Sequence, residues 1–349
     1  MRYTQPMAPR VALVCSAHGF GHLTRQVALG QALQTLGAGA TFFTHAPSSL
    51  VHEILPDAPI VDHRVDVGIA QRDSLTEDLV ETRRQLSEQI HDEAIDELAG
   101  ILAAYDRVVV DIAPPALEAA RRAGVPVRAM GNFDWAWIYR HYPDLTDWAE
   151  RFARWQAPHV AAQLWPGPDL EGFREVARFG LLARRCAPHR WAFQQPDQRA
   201  VLVSFGGLGL EIETWLPRIP GVTWVLAQPM PRLDRADCVY IEEIPYPSLV
   251  AGADAVLTKP GYGILAECML AGTPIVWVDR GPFPEAPYLE PILRDRGDVQ
   301  VDPTGRRLDL PGIPEGLLTV WSRAGRRPSD PGEGPTAEAL RLAHWVLDG

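Results

Sequence analysis

Short apolar runs of strand length recur along this chain, each followed by a stretch whose apolar positions repeat at helical spacing. A strand buried on both faces reads as a continuous apolar run, so the alternation predicts parallel strands joined by crossover helices. In the first half, strands are predicted at 10–16, 40–44, 107–111 and 125–130. Between the first two, Leu29, Leu33 and Leu36 share one face of a helix closed by Gly37. One longer helix is expected after Ser74, with Leu75, Leu79, Leu86, Ile90, Leu98 and Ile101 on its apolar side and its charged residues in solvent. The second half repeats the logic at 200–205, 223–228, 238–243, 254–259 and 274–279.

Two doubly wound α/β halves follow from this pattern. The polar, proline-containing stretch 184–199 is the expected linker between a domain at 1–183 and another at 200–330, with a final helical pattern inside 331–349. A chain of 349 residues, 46% hydrophobic and 22% charged, has enough apolar material for two cores. Its net charge of −11 gives no basic field to gather nucleic acid or an anionic membrane, so any anionic ligand must be held locally. Cys15, Cys186, Cys238 and Cys268 form no CxxC pair and are read as reduced thiols of a cytoplasmic protein. The first ten residues lack an apolar signal core, and no run reaches the roughly 18 apolar residues of a membrane span.

Candidate chemistry concentrates where strands turn into helices. Residues 16–25, SAHGFGHLTR, place Gly19 and Gly21 in a turn that lets a ligand approach backbone, with a helix N-terminus beyond it. Thr24 stands where a dinucleotide fingerprint has its third glycine, the second strand runs into His45 rather than an acid, and GxxxxGK[ST] is absent. A nicotinamide enzyme and a P-loop kinase are therefore unsupported. His18 and His22 are four apart, but Gly-Phe-Gly between them and the absence of HExxH remove the zinc reading. His18 either serves a ligand or packs the loop, whereas His22, at the mouth of the turn, is read as an imidazole that takes a proton from a hydroxyl.

A second cluster spans 258–290. Lys259 ends a strand, Gly261 and Gly263 open a helix whose N–H groups can receive a diphosphate, and Glu267 follows about one turn later as an acceptor for ribose hydroxyls. The same glycines would also make a tight connection with no ligand. A further glycine turn, SFGGLG, carries Gly206 and Gly207.

Taken in order, HGFGHLTR, DVGIAQRDSLT, VVVDIAPPA, GNFDWAWIY, SFGG, KPGYGILAE and FPEAPYLE resemble the nucleotide-sugar glycosyltransferases of the GT-B fold. Within that family they resemble the branch containing the peptidoglycan GlcNAc transferase, and the chain looks like the glycosyltransferase-like N-terminal region of plant L-arabinokinases and their stand-alone bacterial relatives. The resemblance runs from residue 16 to about 290 and leaves out the kinase half of those proteins. It implies two Rossmann-like domains facing a cleft, the acceptor held mainly by the first and the donor mainly by the second.

The resemblance also assigns roles. Glu267 would hold ribose, the turn through Gly261, Tyr262, Gly263 and Ile264 the diphosphate, and Glu285 the donor sugar, although Ala286 follows where relatives often carry a second acid or amide. Lys259, Gly206 and Gly207 join the donor set. His22 matches the base of inverting members, and Asp111 is either its acid partner or a cap for the helix after it. His18, Gly19, Gly21, Asn132, Phe133 and Trp135 fall on the acceptor side, with Trp135 and Trp137 at alternate positions so that one is core and the other a lid. The implied activity is inverting transfer from a nucleoside-diphosphate sugar, UDP by family default, to a small-molecule acceptor. No DxD pair or cofactor is called for, a helix terminus standing in for a cation. Two rivals remain: a nucleotide-sugar hydrolase with water as acceptor, and a non-catalytic nucleotide-sugar sensor.

Overall fold

The computed structural model describes residues 8–16, 18–73, 76–193, 197–205, 216–278, 283–301, 312–323 and 331–348. Two compact units emerge, one of Met1–Ala70, Asp78–Leu182 and Pro335–Gly349, the other of Gln71–Glu77 and Ala183–Gly334. The chain begins with β1 (Arg10–Cys15), α1 (Phe20–Thr35), β2 (Gly39–Thr44), α2 (Ser49–His52) and β3 (Ile60–Asp62), then the small hairpin β4 (Gln71–Asp73) and β5 (Thr76–Glu77). It continues through α3 (Leu79–Gln89), α4 (Asp92–Leu102), β6 (Arg107–Asp111), α5 (Pro114–Ala123), β7 (Val127–Gly131), α6 (Trp135–Arg140), α7 (Thr146–Gln156), β8 (Val160–Leu164) and β9 (Glu175–Phe179).

The first unit's seven strands pair in parallel in the order β3-β2-β1-β6-β7-β8-β9. The order reverses between β1 and β6, and such switch points, at the carboxyl ends of the strands, are where open α/β sheets take ligands. The predicted central strands are present because Val11, Leu13, Val108 and Val110 are buried between helices on both faces. The helix expected after Ser74 is two helices, with Ser74 and Leu75 outside the described residues. Ile90 leaves helical geometry, and His91 caps α4 by accepting the Ala94 N–H at 3.3 Å, ahead of Asp92 and Glu93 in the first turn.

The second unit contains β10 (Arg199–Ser204), β11 (Val222–Ala227), β12 (Cys238–Ile241), α8 (Tyr246–Gly252), β13 (Ala255–Thr258), α9 (Tyr262–Ala271), β14 (Ile275–Val278), α10 (Ala286–Asp295), β15 (Val299–Val301) and α11 (Ile313–Arg323). Its six strands are also parallel, in the order β12-β11-β10-β13-β14-β15, with the switch point between β10 and β13. The stretch read as a linker is packed along this unit: His189 N–H donates to Ser248 O at 3.0 Å, and the Trp191 indole donates to Gly252 O at 2.7 Å.

The last helix, α12 (Ala337–Asp348), returns to the first unit. Ala339, Leu342, Ala343 and Val346 bury against the core formed by β1 and α1, and Glu338 accepts the Gly180 N–H at 2.5 Å. Among the described residues, no helix is long and apolar enough to cross a membrane.

Candidate active site

The first switch point brings the sequence's first motif together with Asp111. Register pairs Cys15 with Asp111 at the ends of β1 and β6, so the turn after β1 and the α1 helix it opens lie beside that carboxylate. Gly19, at φ +79°, is the N-cap, and Gly21 and His22 are the second and third residues of the helix. No side chain caps this N-terminus and no acid sits in its first turn.

His22 is 6% exposed and Asp111 fully buried. Nδ1 of His22 lies 3.1 Å from Asp111 Oδ1 and 2.7 Å from Arg25 Nη2. Arg25, one helical turn on, spans the carboxylate, with Nε 2.5 Å from Oδ2 and Nη2 2.5 Å from Oδ1, and its Nη1 donates to Asn132 Oδ1. Asn132 in turn donates through Nδ2 to Leu164 O at 3.2 Å and Pro166 O at 2.7 Å. Burial and the Arg25 charge together lower the His22 pKa below its ordinary value, against the opposing pull of Asp111. Burial alone would raise Asp111, yet Arg25 and His22 outweigh it and hold the carboxyl below the usual range. The site therefore presents a neutral imidazole beside an ionised acid at neutral pH.

A second buried carboxylate organises the loop. Asp66 accepts from Ser16 Oγ at 3.0 Å and from the Trp135 indole at 2.9 Å, while Ser16 Oγ accepts the His18 N–H at 3.1 Å. Burial pushes Asp66 up to about 7. His18 stands edge-on to Trp135 at 5.1 Å and lies against Gly68, where a Cβ would come 2.5 Å from the imidazole ring at a φ of +66° that other residues rarely adopt. Phe133 stands edge-on to both His22 at 5.8 Å and Trp135 at 5.6 Å. Trp135 is 1% exposed and Trp137 half-buried, so Trp135 is the core member of that pair. Asn132 and Trp135, both placed on the acceptor side by the sequence resemblance, spend their polar groups on hydrogen bonds inside the protein.

Immediately after Asp111, Ile112 has a φ of +49°, a backbone state rare for a β-branched residue and worth of order 1–3 kcal/mol of strain. Its Cγ2 fills the space where a Cβ on Gly131 would stand, 2.3 Å away, which is why the end of β7 needs a glycine.

The second switch point repeats the construction with other side chains. Ser204 pairs with Thr258 at the ends of β10 and β13, and the half-buried Lys259 and buried Pro260 lead into α9, whose N-cap is Gly261. Here too no side chain caps the helix and no acid lies in its first turn, formed by Tyr262, Gly263 and Ile264. A Cβ on Gly261 would touch nothing closer than Ile264 Cγ2 at 3.9 Å. Glu267, buried on the same helix, accepts from Arg184 Nε at 2.8 Å, and Arg184 is itself 2% exposed. Nearby, Tyr246 donates to Ser204 Oγ at 2.5 Å. Glu285 is buried at the N-cap position of α10, its carbonyl accepting the Tyr288 N–H at 3.0 Å. Gly206 and Gly207 lie outside the described residues.

Sequence reading missed three residues that complete these clusters: Arg25, Asp66 and Arg184. Arg25 and Asp66 stood inside quoted motifs, and the three-residue spacing of His22 and Arg25 on one helix face was the available signal. Nothing local marks Arg184, whose partner is 83 residues away. Among the described residues, no group of three or more His, Cys, Asp and Glu side chains is placed to hold a metal ion.

No family model matches the chain. A curated relative, the L-arabinokinase of Arabidopsis thaliana, is 28% identical over 310 residues, which is 81% of this chain and 29% of that protein. The chain thus spans less than a third of the length of that relative. Among solved structures, a glycotransferase of kitacinnamycin matches with a TM-score of 0.60 at 18% identity, over 98% of this chain and 99% of the other. UGT89C1 of Arabidopsis thaliana, complexed with UDP, matches with a TM-score of 0.57 at 14% identity, over 97% and 94%. Two parallel-sheet units with their crossover helices, aligned nearly end to end with these proteins, give the chain the GT-B fold of glycosyltransferases.

Proposed function

We propose that the chain is an inverting, metal-independent glycosyltransferase that moves a sugar from a nucleoside-diphosphate donor to a hydroxyl of a small-molecule acceptor. The observation that carries the reading is the buried His22–Asp111 pair at the carboxyl ends of β1 and β6, with His22 on the first turn of an uncapped helix. In this reading Nδ1–H of His22 donates to Asp111, and Nε2 takes the proton of the acceptor hydroxyl as its oxygen attacks the anomeric carbon. The bond from that carbon to the diphosphate oxygen breaks, and Asp111 stabilises the imidazolium that forms. The second unit would hold the donor. The α9 N-terminus and Lys259 receive the diphosphate and its developing charge, Glu267 takes the ribose hydroxyls, and Glu285 the sugar.

Support for a nucleotide donor comes from the shared fold and from the UDP complex of one neighbour. UDP is accordingly the first base to test, dTDP the second.

The test is release of nucleoside diphosphate from a panel of UDP- and dTDP-sugars, with and without a panel of alcohol and sugar acceptors. Release that requires an acceptor and is lost in His22→Ala is the expected result. Release at the same rate with water alone would make the protein a hydrolase. Absence of release from every pairing, with a diphosphate still bound, would make it a sensor.

A further inference from the structure

Nδ1 of His22 faces two groups that make opposite demands on it. Asp111 Oδ1 is an acceptor at 3.1 Å and calls for a proton on Nδ1, whereas Arg25 Nη2 is a donor at 2.7 Å and calls for a bare nitrogen. Arg25 cannot simply turn aside. Its Nε and Nη2 are held on Asp111, its Nη1 is held on Asn132, and Asn132 is anchored to the backbone of Leu164 and Pro166. The side chain is 4% exposed. A planar fork with donors on three nitrogens suits this task, and a lysine, with one nitrogen, could not reach all the partners.

We propose that Arg25 is a positioning residue that shares the charge of Asp111 and, as a cation beside the ring, opposes a second proton on it, so that the imidazole is held neutral with its one proton on Nδ1 toward Asp111 and Nε2 left bare. A lone aspartate beside a histidine would stabilise the imidazolium and leave part of the enzyme charged near neutrality. With Arg25 on both carboxylate oxygens, that stabilisation is diluted. Among the described residues, the charged groups facing His22 are Arg25 from its own helix and Asp111 from β6; the segment after β7 presents the rings of Phe133 and Trp135, with Asp66 behind the Trp135 indole. The lowered pKa of His22, caused first by burial and then by Arg25, agrees with this arrangement.

The inference deepens the reading of His22 as a base, but its test reads the ring itself and needs no substrate. The full chain is labelled with ¹⁵N-histidine, the His22 signals are assigned by their loss in His22→Gln, and the ring is titrated by NMR. In the wild type, His22 should titrate below the ordinary histidine value of about 6.5. In Arg25→Gln the midpoint should rise by about one pH unit or more, a tenfold change in proton affinity. Arg25→Lys, which restores the charge without the fork, should bring the midpoint back down. A purely structural arginine would alter thermal stability in these variants and leave the His22 midpoint in place, and that result would overturn the proposal. Should Arg25→Gln fail to fold, the wild-type protein still decides, because a His22 midpoint at or above the ordinary value contradicts charge sharing by Arg25.

Discussion

The two switch points are built alike and equipped differently. Each has a parallel strand, a glycine turn and a helix whose N-terminus carries no side-chain cap and no acid. In the first unit the third helical residue is His22, tied to the neighbouring strand's carboxylate, whereas in the second it is Ile264, and the nearest acid on that helix, Glu267, sits a turn deeper on a buried arginine. One scaffold thus suits two tasks. In the proposed reading, the titratable ring at the first helix entrance serves proton transfer, and the entrance of glycine and apolar residues at the second leaves its backbone N–H groups to an anion.

The largest expected effect breaks the first cluster. Asp111→Ala strands the buried guanidinium of Arg25 and should cost about 3–5 kcal/mol of stability in denaturant unfolding. Asp111→Asn, which keeps a partner of the same shape, should cost less. His22→Ala should lower acceptor-dependent turnover by about 10²–10⁴-fold while leaving nucleoside diphosphate affinity within about twofold, because in the proposed reading it removes the base and no donor contact. Equal losses in both quantities would erase the proposed division of tasks.

A smaller effect comes from Asp66, and its sign follows from the raised value of about 7 against an ordinary 3.8. Below the ordinary value both folded and unfolded chains hold the proton and the group is neutral in the balance. As pH climbs from about 4 to 7 only the unfolded chain loses it, so stability falls across that window and levels off above it. Asp66→Asn should flatten this decline by on the order of 1–3 kcal/mol, measured as unfolding free energy at a series of pH values. An unchanged slope would show that Asp66 ionises normally in the folded protein.

The smallest effect separates stability from binding in the second unit. Gly261 is extended, at φ −164°, and has room for a side chain. Gly261→Asp should cap α9 and stabilise the protein by about 0.5–1 kcal/mol, yet weaken diphosphate binding several-fold by occupying the same N–H groups with a carboxylate. A more stable protein with undiminished affinity would move the diphosphate elsewhere.

The central strands were legible in the sequence because burial on both faces leaves uninterrupted runs such as VALVC and VLVS. Edge strand β9, with Glu175 and Arg178 among its five residues, carries no such run and was not expected. The helical pattern at the end of the chain was readable, but not its return to the first unit, because an apolar stripe does not name the surface that covers it. Asp111 was visible as a strand-end residue and His22 as a residue at the mouth of the turn after a strand, and their meeting follows from the pairing of β1 with β6. Arg25 was not assigned a role, since an arginine on an amphipathic helix ordinarily reads as solvent-facing and only the fold shows it buried between two acceptors.

The most direct test of the account is calorimetric titration of the wild type, Glu267→Gln and His22→Ala with UDP and dTDP. Saturable binding of one diphosphate by the wild type, lost in Glu267→Gln and retained in His22→Ala, is the predicted result. A wild type that binds neither, or a loss of binding in His22→Ala with Glu267→Gln unaffected, would contradict the assignment of donor binding to the second unit and proton transfer to the first.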